Sequence, residues 1–148
     1  MDIILGIHNI LRWVIVIAAA FSLFRMVSGL IKKTTWSALD SKSGLIFTIA
    51  LDLQLLLGLI LYFIFSPLVK SFFANFSAAM AESSLRYWGV EHFLMMLLAV
   101  VFGHLGSALA KKQVLDQKKY QYGAIFFAIT ILFLLTGIPW FRPLLPVF

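Results

Sequence analysis

The chain has 148 residues, 62% of them hydrophobic and only 12% charged, with a mean hydropathy of +1.01; such a surplus of apolar side chains cannot be hidden inside a water-facing protein of this size, which excludes a soluble globular domain. The formal charge of +6 is carried by residues at the ends of apolar runs, where basic groups mark membrane topology rather than a phosphate-binding face, so nucleic acid is excluded as a partner. The absence of cysteine excludes disulfides, thiolate metal sites and covalent haem attachment.

The N-terminus, Met1-Asp2-Ile3, has no basic n-region, and the apolar run behind it is too long for a cleaved signal. The whole of 1–148 is therefore expected as one mature domain. Four apolar runs follow in order, at about 3–31, 44–66, 86–110 and 122–138. Each is near or above the ~17–25 residues that cross about 30 Å of hydrocarbon as a helix. The expected fold is all-α, an integral membrane four-helix bundle running up-down-up-down. Arg25, Lys32, Lys33, Lys42, Lys111, Lys112, Lys118 and Lys119 fall on one side, and Lys70, Arg86 and Arg142 on the other. By the positive-inside rule the first group is cytoplasmic and both termini lie outside.

The connection after the second run is the long one. Across Pro67–Leu85, Leu68, Phe72, Phe73, Phe76 and Met80 recur at helical spacing. The pattern predicts a short amphipathic helix on the outer surface, or an apolar segment packed over the bundle end.

Ionisable groups inside a membrane are costly, and each needs a partner or a purpose. His8 and Arg12 share one face of the first helix at i, i+4. The third run carries Glu91 and His92 just after Arg86, and His104 further along. His8 and His92 enter from the same side at similar depth, on helices that face each other across the diagonal of an up-down bundle. Two imidazoles so placed can ligate haem iron from both sides, or they are interfacial side chains bonded to water, backbone or Glu91. Arg12 is then a propionate partner or the ion-pair partner of Glu91, with Arg86 competing for that carboxylate. Glu91 is either a group that orients an imidazole or takes a proton, or a structural charge. His104 lies about 18 Å deeper than His92 and is turned by roughly 120°; between Gly103 and Gly106, it is expected at a close helix contact. Asp52, among aliphatic neighbours, with Thr48 one turn away and Gln54 nearby, is expected to be protonated or paired, as a proton relay or as a structural hydrogen-bonding group. Met95 and Met96 beside histidine raise Cu(I), although methionine is also an ordinary packing residue.

The stretches Ile7-His8-Asn9-Ile10-Leu11-Arg12-Trp13, Leu51-Asp52-Leu53-Gln54-Leu55-Leu56-Leu57-Gly58 and Arg86-Tyr87-Trp88-Gly89-Val90-Glu91-His92, with the closing Ile138-Pro139-Trp140, resemble a group of small bacterial four-helix membrane proteins loosely labelled cytochrome b. The resemblance runs over most of the chain. Its recurrent polar positions match His8, Arg12, Asp52, Gln54, Glu91 and His92. It implies a bacterial inner-membrane protein holding a non-covalent b-type haem, exchanging electrons with a quinol or a partner redox subunit. The chain differs from two-haem members of such families in having no second matched histidine pair. The competing expectations are a cofactor-free accessory subunit of a larger membrane complex and a small proton-coupled carrier using Asp52 and Glu91; a homo-oligomer fits any of these. No nucleophile triad, phosphate loop or zinc spacing points to an enzyme of those classes.

Overall fold

A computed structural model describes residues 2–142. They are helical throughout, joined by short turns, with no strand among the described residues. The elements are α1 (Asp2–Lys32), α2 (Ala38–Ile60), α3 (Pro67–Ala74), α4 (Phe76–Ala81), α5 (Ser83–Arg86), α6 (His92–Lys112) and α7 (Asp116–Gly137). A π-helical turn at Leu61–Phe65 extends α2, and another at Tyr87–Glu91 joins α5 to α6. Four of the resulting helices are long and apolar enough to cross a membrane: Ile3–Lys32, Ala38–Phe65, Ser83–Lys112 and Asp116–Gly137. The chain is a multi-pass membrane protein built as a four-helix bundle.

α1 packs on α2 and α7, and α6 packs on α7 and α2. The first and third spans are thus diagonal neighbours, as the up-down order predicts. Ile15, Met26, Phe47, Leu51, Ala99, Phe127 and Leu134 fill the centre, with Phe47 and Phe127 edge to face at 5.4 Å. Most of each span's apolar surface is left outside, including Ile17, Phe24, Leu56 and Leu132. Such a surface requires lipid.

Two spans, the second and the fourth, begin more than a helical turn earlier than hydropathy indicates. α2 starts at Ala38 rather than Gly44 because Ser37 and Asp40 form a reciprocal capping box. Lys42 therefore belongs to a helix and not to the connection. α7 starts at Asp116 rather than Tyr122, and its polar first turns bury Tyr120 completely. Between these helix ends lies a closed polar knot. Asp40 is 1% exposed; it receives Arg25 at 2.7 Å, the Ser37 amide at 2.8 Å and the Tyr120 hydroxyl at 2.8 Å. α1 ends with Lys33 in the left-handed region (φ 52°), where the Thr34 N–H reaches back to the Gly29 carbonyl at 3.2 Å.

The long connection is two helices rather than one. Asn75 breaks the run by capping α4 through the Ala78 N–H. Of the expected apolar stripe Phe72 is buried, while Phe73, Phe76 and Met80 are exposed; Val69 and Ala79, outside that stripe, are the other residues buried here. Phe72 packs so closely on Gly89 that the glycine has no room for a Cβ.

Candidate functional site

At the end of the bundle away from the basic turns, a cavity of about 50 Å³ opens among the helices. His8 comes to it from α1, Gln54 and Gly58 from α2, Tyr62 from the π-turn beyond, His92 and Met96 from α6, and Leu134 from α7. All four spans contribute, and two histidines from diagonal spans reach one space.

Their environments differ. α7 ends at Gly137, which leaves its last carbonyls without helical partners. His92 Nδ1 lies 2.7 Å from the Gly137 carbonyl. A carbonyl only accepts, so Nδ1 carries the proton, and in the neutral ring Nε2 keeps its lone pair. An imidazole whose other nitrogen is tied to a backbone carbonyl is the usual state of a metal ligand. Tyr87 donates to the same carbonyl at 2.8 Å. His8 faces Gly58, where an added Cβ would stand 3.4 Å from its Cε1. Its Nδ1 is buried and has no hydrogen-bond partner. Gln54 donates from Nε2 to the His8 carbonyl at 3.0 Å, which fixes α1 against α2, and its Oε1 is likewise buried without a partner. An unsatisfied buried polar atom costs about 1–3 kcal/mol. Two such atoms beside one cavity mark a place where a polar or metal-bearing ligand would be stabilised.

The remaining polar residues fall in other places. Arg12 is 8% exposed, one turn from His8, and its charge lies within Coulombic reach of both imidazoles and of Tyr87. Glu91 is bonded to Arg86 at 2.7 Å on the partly exposed rim, so Arg86 rather than Arg12 is its salt-bridge partner. Residues five apart sit about 140° apart on an α-helix; the Tyr87–Glu91 π-turn, closed by the His92 N–H on the Tyr87 carbonyl, brings them together. Asp52 meets His104 Nε2 at 2.7 Å, with both side chains about half exposed on the outside of the bundle. Gly103 and Gly106 make the close contacts with Leu51, Phe126 and Phe127, and His104 points away from them. Thr48 turns inward and bonds back to the Leu45 carbonyl at 3.0 Å, so it is no partner for Asp52. Asp52 and Glu91, the pair a carrier would use, are engaged separately. Met95 and Met96 close against Gly137 as packing residues. Among the described residues no group of three or more His, Cys, Asp or Glu is placed to hold a metal ion, so the cavity offers two imidazoles.

Gly58, Tyr62, Tyr87 and Gly137 complete the site without having been singled out from the sequence. Only Gly137 had a readable signal, the Gly-Ile-Pro that ends the last helix. Tyr62 of the first π-turn lines the cavity, the second π-turn leads into His92, and Tyr62 donates to the Gly89 carbonyl in that second turn at 2.6 Å. No protein-family profile, curated protein or solved structure matches the chain.

Proposed function

We propose that the chain binds one b-type haem between His8 and His92 and exchanges electrons with a membrane quinol or a partner redox subunit. The observation that carries this reading is the arrival of two imidazoles from diagonal spans at one cavity, one held by a backbone carbonyl and the other with an orphaned nitrogen. The donor set suits low-spin haem iron, and the bound group would supply one-electron transfer. His8 and His92 would hold the metal. Arg12 would balance a propionate, while Arg86, tied to Glu91, places a second cation at the rim. At about 50 Å³ the cavity is well below the ~300–1,000 Å³ of sites for larger organic ligands. A macrocycle therefore requires the second and third spans, which line the cavity with Leu55, Leu59, Phe93 and Met96, to part. The basic turns at the opposite end of the bundle support a site toward the outer leaflet, which in a bacterial chain would be that of the inner membrane.

The test is spectroscopic. Protein produced with ample haem should show a Soret band and redox-sensitive visible bands. His8→Ala and His92→Ala should each lose the haem or convert it to a high-spin form, and His104→Ala should not. Wild-type protein without any Soret band refutes the proposal. An accessory subunit without cofactor then takes its place, a reading favoured by the polar pair Asp52–His104 on the lipid side.

A further inference from the structure

Asp52 lies at the middle of the span Ala38–Phe65. Its pairing with His104 sits on the outer surface between α2 and α6, not in the bundle. Leu53, Leu56, Val101 and Leu105, all more than 40% exposed, surround it. Ionisable side chains in membrane spans otherwise face the protein interior or water, because hydrocarbon offers them no partners. Half of this pair's surface has nothing from its own chain to cover it.

The chemistry of the pair defines what covers it. In its net-neutral state the pair carries two acidic protons. Either His104 is an imidazolium beside a carboxylate, or Asp52 is a carboxylic acid donating to Nε2 of a neutral ring protonated on Nδ1. Both tautomers leave the same outward groups, an N–H at His104 Nδ1 and an acceptor at Asp52 Oδ2. Neither atom has a hydrogen-bond partner among the described residues. A surface that offers one donor and one acceptor side by side is complementary to its own image under two-fold rotation. An axis along the membrane normal keeps both copies at one depth, so the Nδ1–H of each meets the Oδ2 of the other. A closed ring of four hydrogen-bonded side chains results, with an aliphatic skirt around it.

We propose that the chain dimerises in the bilayer through this face of its second and third spans, two copies closing on Asp52 and His104. The proposal is independent of the haem reading, since neither residue lines the cavity. Interhelical hydrogen bonds in lipid contribute modestly, so the ring selects register and partner while the skirt supplies packing.

The chain has no cysteine, which makes site-specific crosslinking direct. Full-length protein carrying a single cysteine at Leu53, Leu56, Val101 or Leu105 should form a disulfide-linked dimer in membranes at one or more of these positions. Ile17→Cys, on exposed surface of α1, should not. The double variant Asp52→Leu/His104→Leu, fully apolar and fit for lipid, should weaken dimerisation about tenfold, or ~1.4 kcal/mol, as read by energy transfer between labelled copies during lipid dilution. Its Soret band, if the wild type has one, should not change. Three results overturn the proposal: a wild-type chain that stays monomeric at every dilution, a double variant that dimerises as well as wild type, or crosslinks only to a protein of different mass.

Discussion

Gly29→Ala tests whether the polar knot at the basic end is as rigid as its geometry implies. Gly29 faces the ring of Tyr120, and an added Cβ would fall inside van der Waals contact of ring atoms Cε1 and Cζ. The ring is fully buried. Its hydroxyl is shared between Asp40 at 2.8 Å and the Thr35 carbonyl at 3.0 Å, and Trp36 backs it with centroids 4.9 Å apart. If the ring stays, overpacking costs about 1–3 kcal/mol. If it swings away, a hydrogen bond to a buried charged carboxylate is lost, about 1.5–3 kcal/mol. Alanine recovers only ~1 kcal/mol through better helix propensity. The expected net destabilisation is about 1–2 kcal/mol, measured as loss of helical ellipticity on titrating SDS into mixed micelles. Tyr120→Leu removes the ring, so on that background Gly29→Ala should be neutral or slightly stabilising. The coupling across the double-mutant cycle should then be roughly 2 kcal/mol. A Gly29→Ala protein more stable than wild type, or strictly additive effects, would refute the packing described.

Gly58→Leu should place a side chain where His8 now borders the cavity; we expect the SDS unfolding midpoint to be kept and haem per protein to fall at least severalfold, whereas Gly58→Ala should keep its haem. Full occupancy in the leucine variant would put the haem elsewhere. Reporters inserted near Gln113 should be cytoplasmic, and those near Ser77 or fused after Phe148, which lies outside the described residues, should be external. The reverse pattern would invert the assignment of leaflets.

The four spans and their diagonal arrangement were legible because apolar length and alternating direction leave few other choices. The starts of α2 and α7 were not. Hydropathy treats Asp40, Ser43 and Tyr120 as loop material, yet the bundle end buries all three. The Ser37-x-x-Asp40 spacing was the available clue. His8 and His92 could be matched by counting residues from where the spans begin. Counting did not bring Asp52 to His104, because it fixes no register between spans; the packing of Gly103 on Leu51 sets that register and brings the two following residues level. Glu91 had two arginines within reach, and a π-turn decided between them, a feature that no periodicity in this sequence announces.

The two ends of the bundle treat buried polar groups differently, and that contrast is the strongest physical argument for a ligand. At the basic end Asp40 gathers donors from Arg25, Ser37 and Tyr120, and no buried side-chain polar atom among the described residues there is left without a partner. The fold therefore can satisfy a deeply buried charge with its own side chains. At the other end His8 Nδ1 and Gln54 Oε1 are buried with no partner, although each sits among aliphatic neighbours where leucine would carry no such penalty. Two orphaned atoms at about 1–3 kcal/mol apiece are a sizeable fraction of the ~5–15 kcal/mol by which folded proteins are stable. A ligand that bonds to either atom recovers part of that cost on binding, whereas a dry cavity never does. The imbalance thus predicts a measurable linkage, in which whatever fills the site raises the unfolding midpoint in proportion to the logarithm of its concentration. Replacing His8 and Gln54 together by leucine should raise the ligand-free midpoint and abolish that dependence.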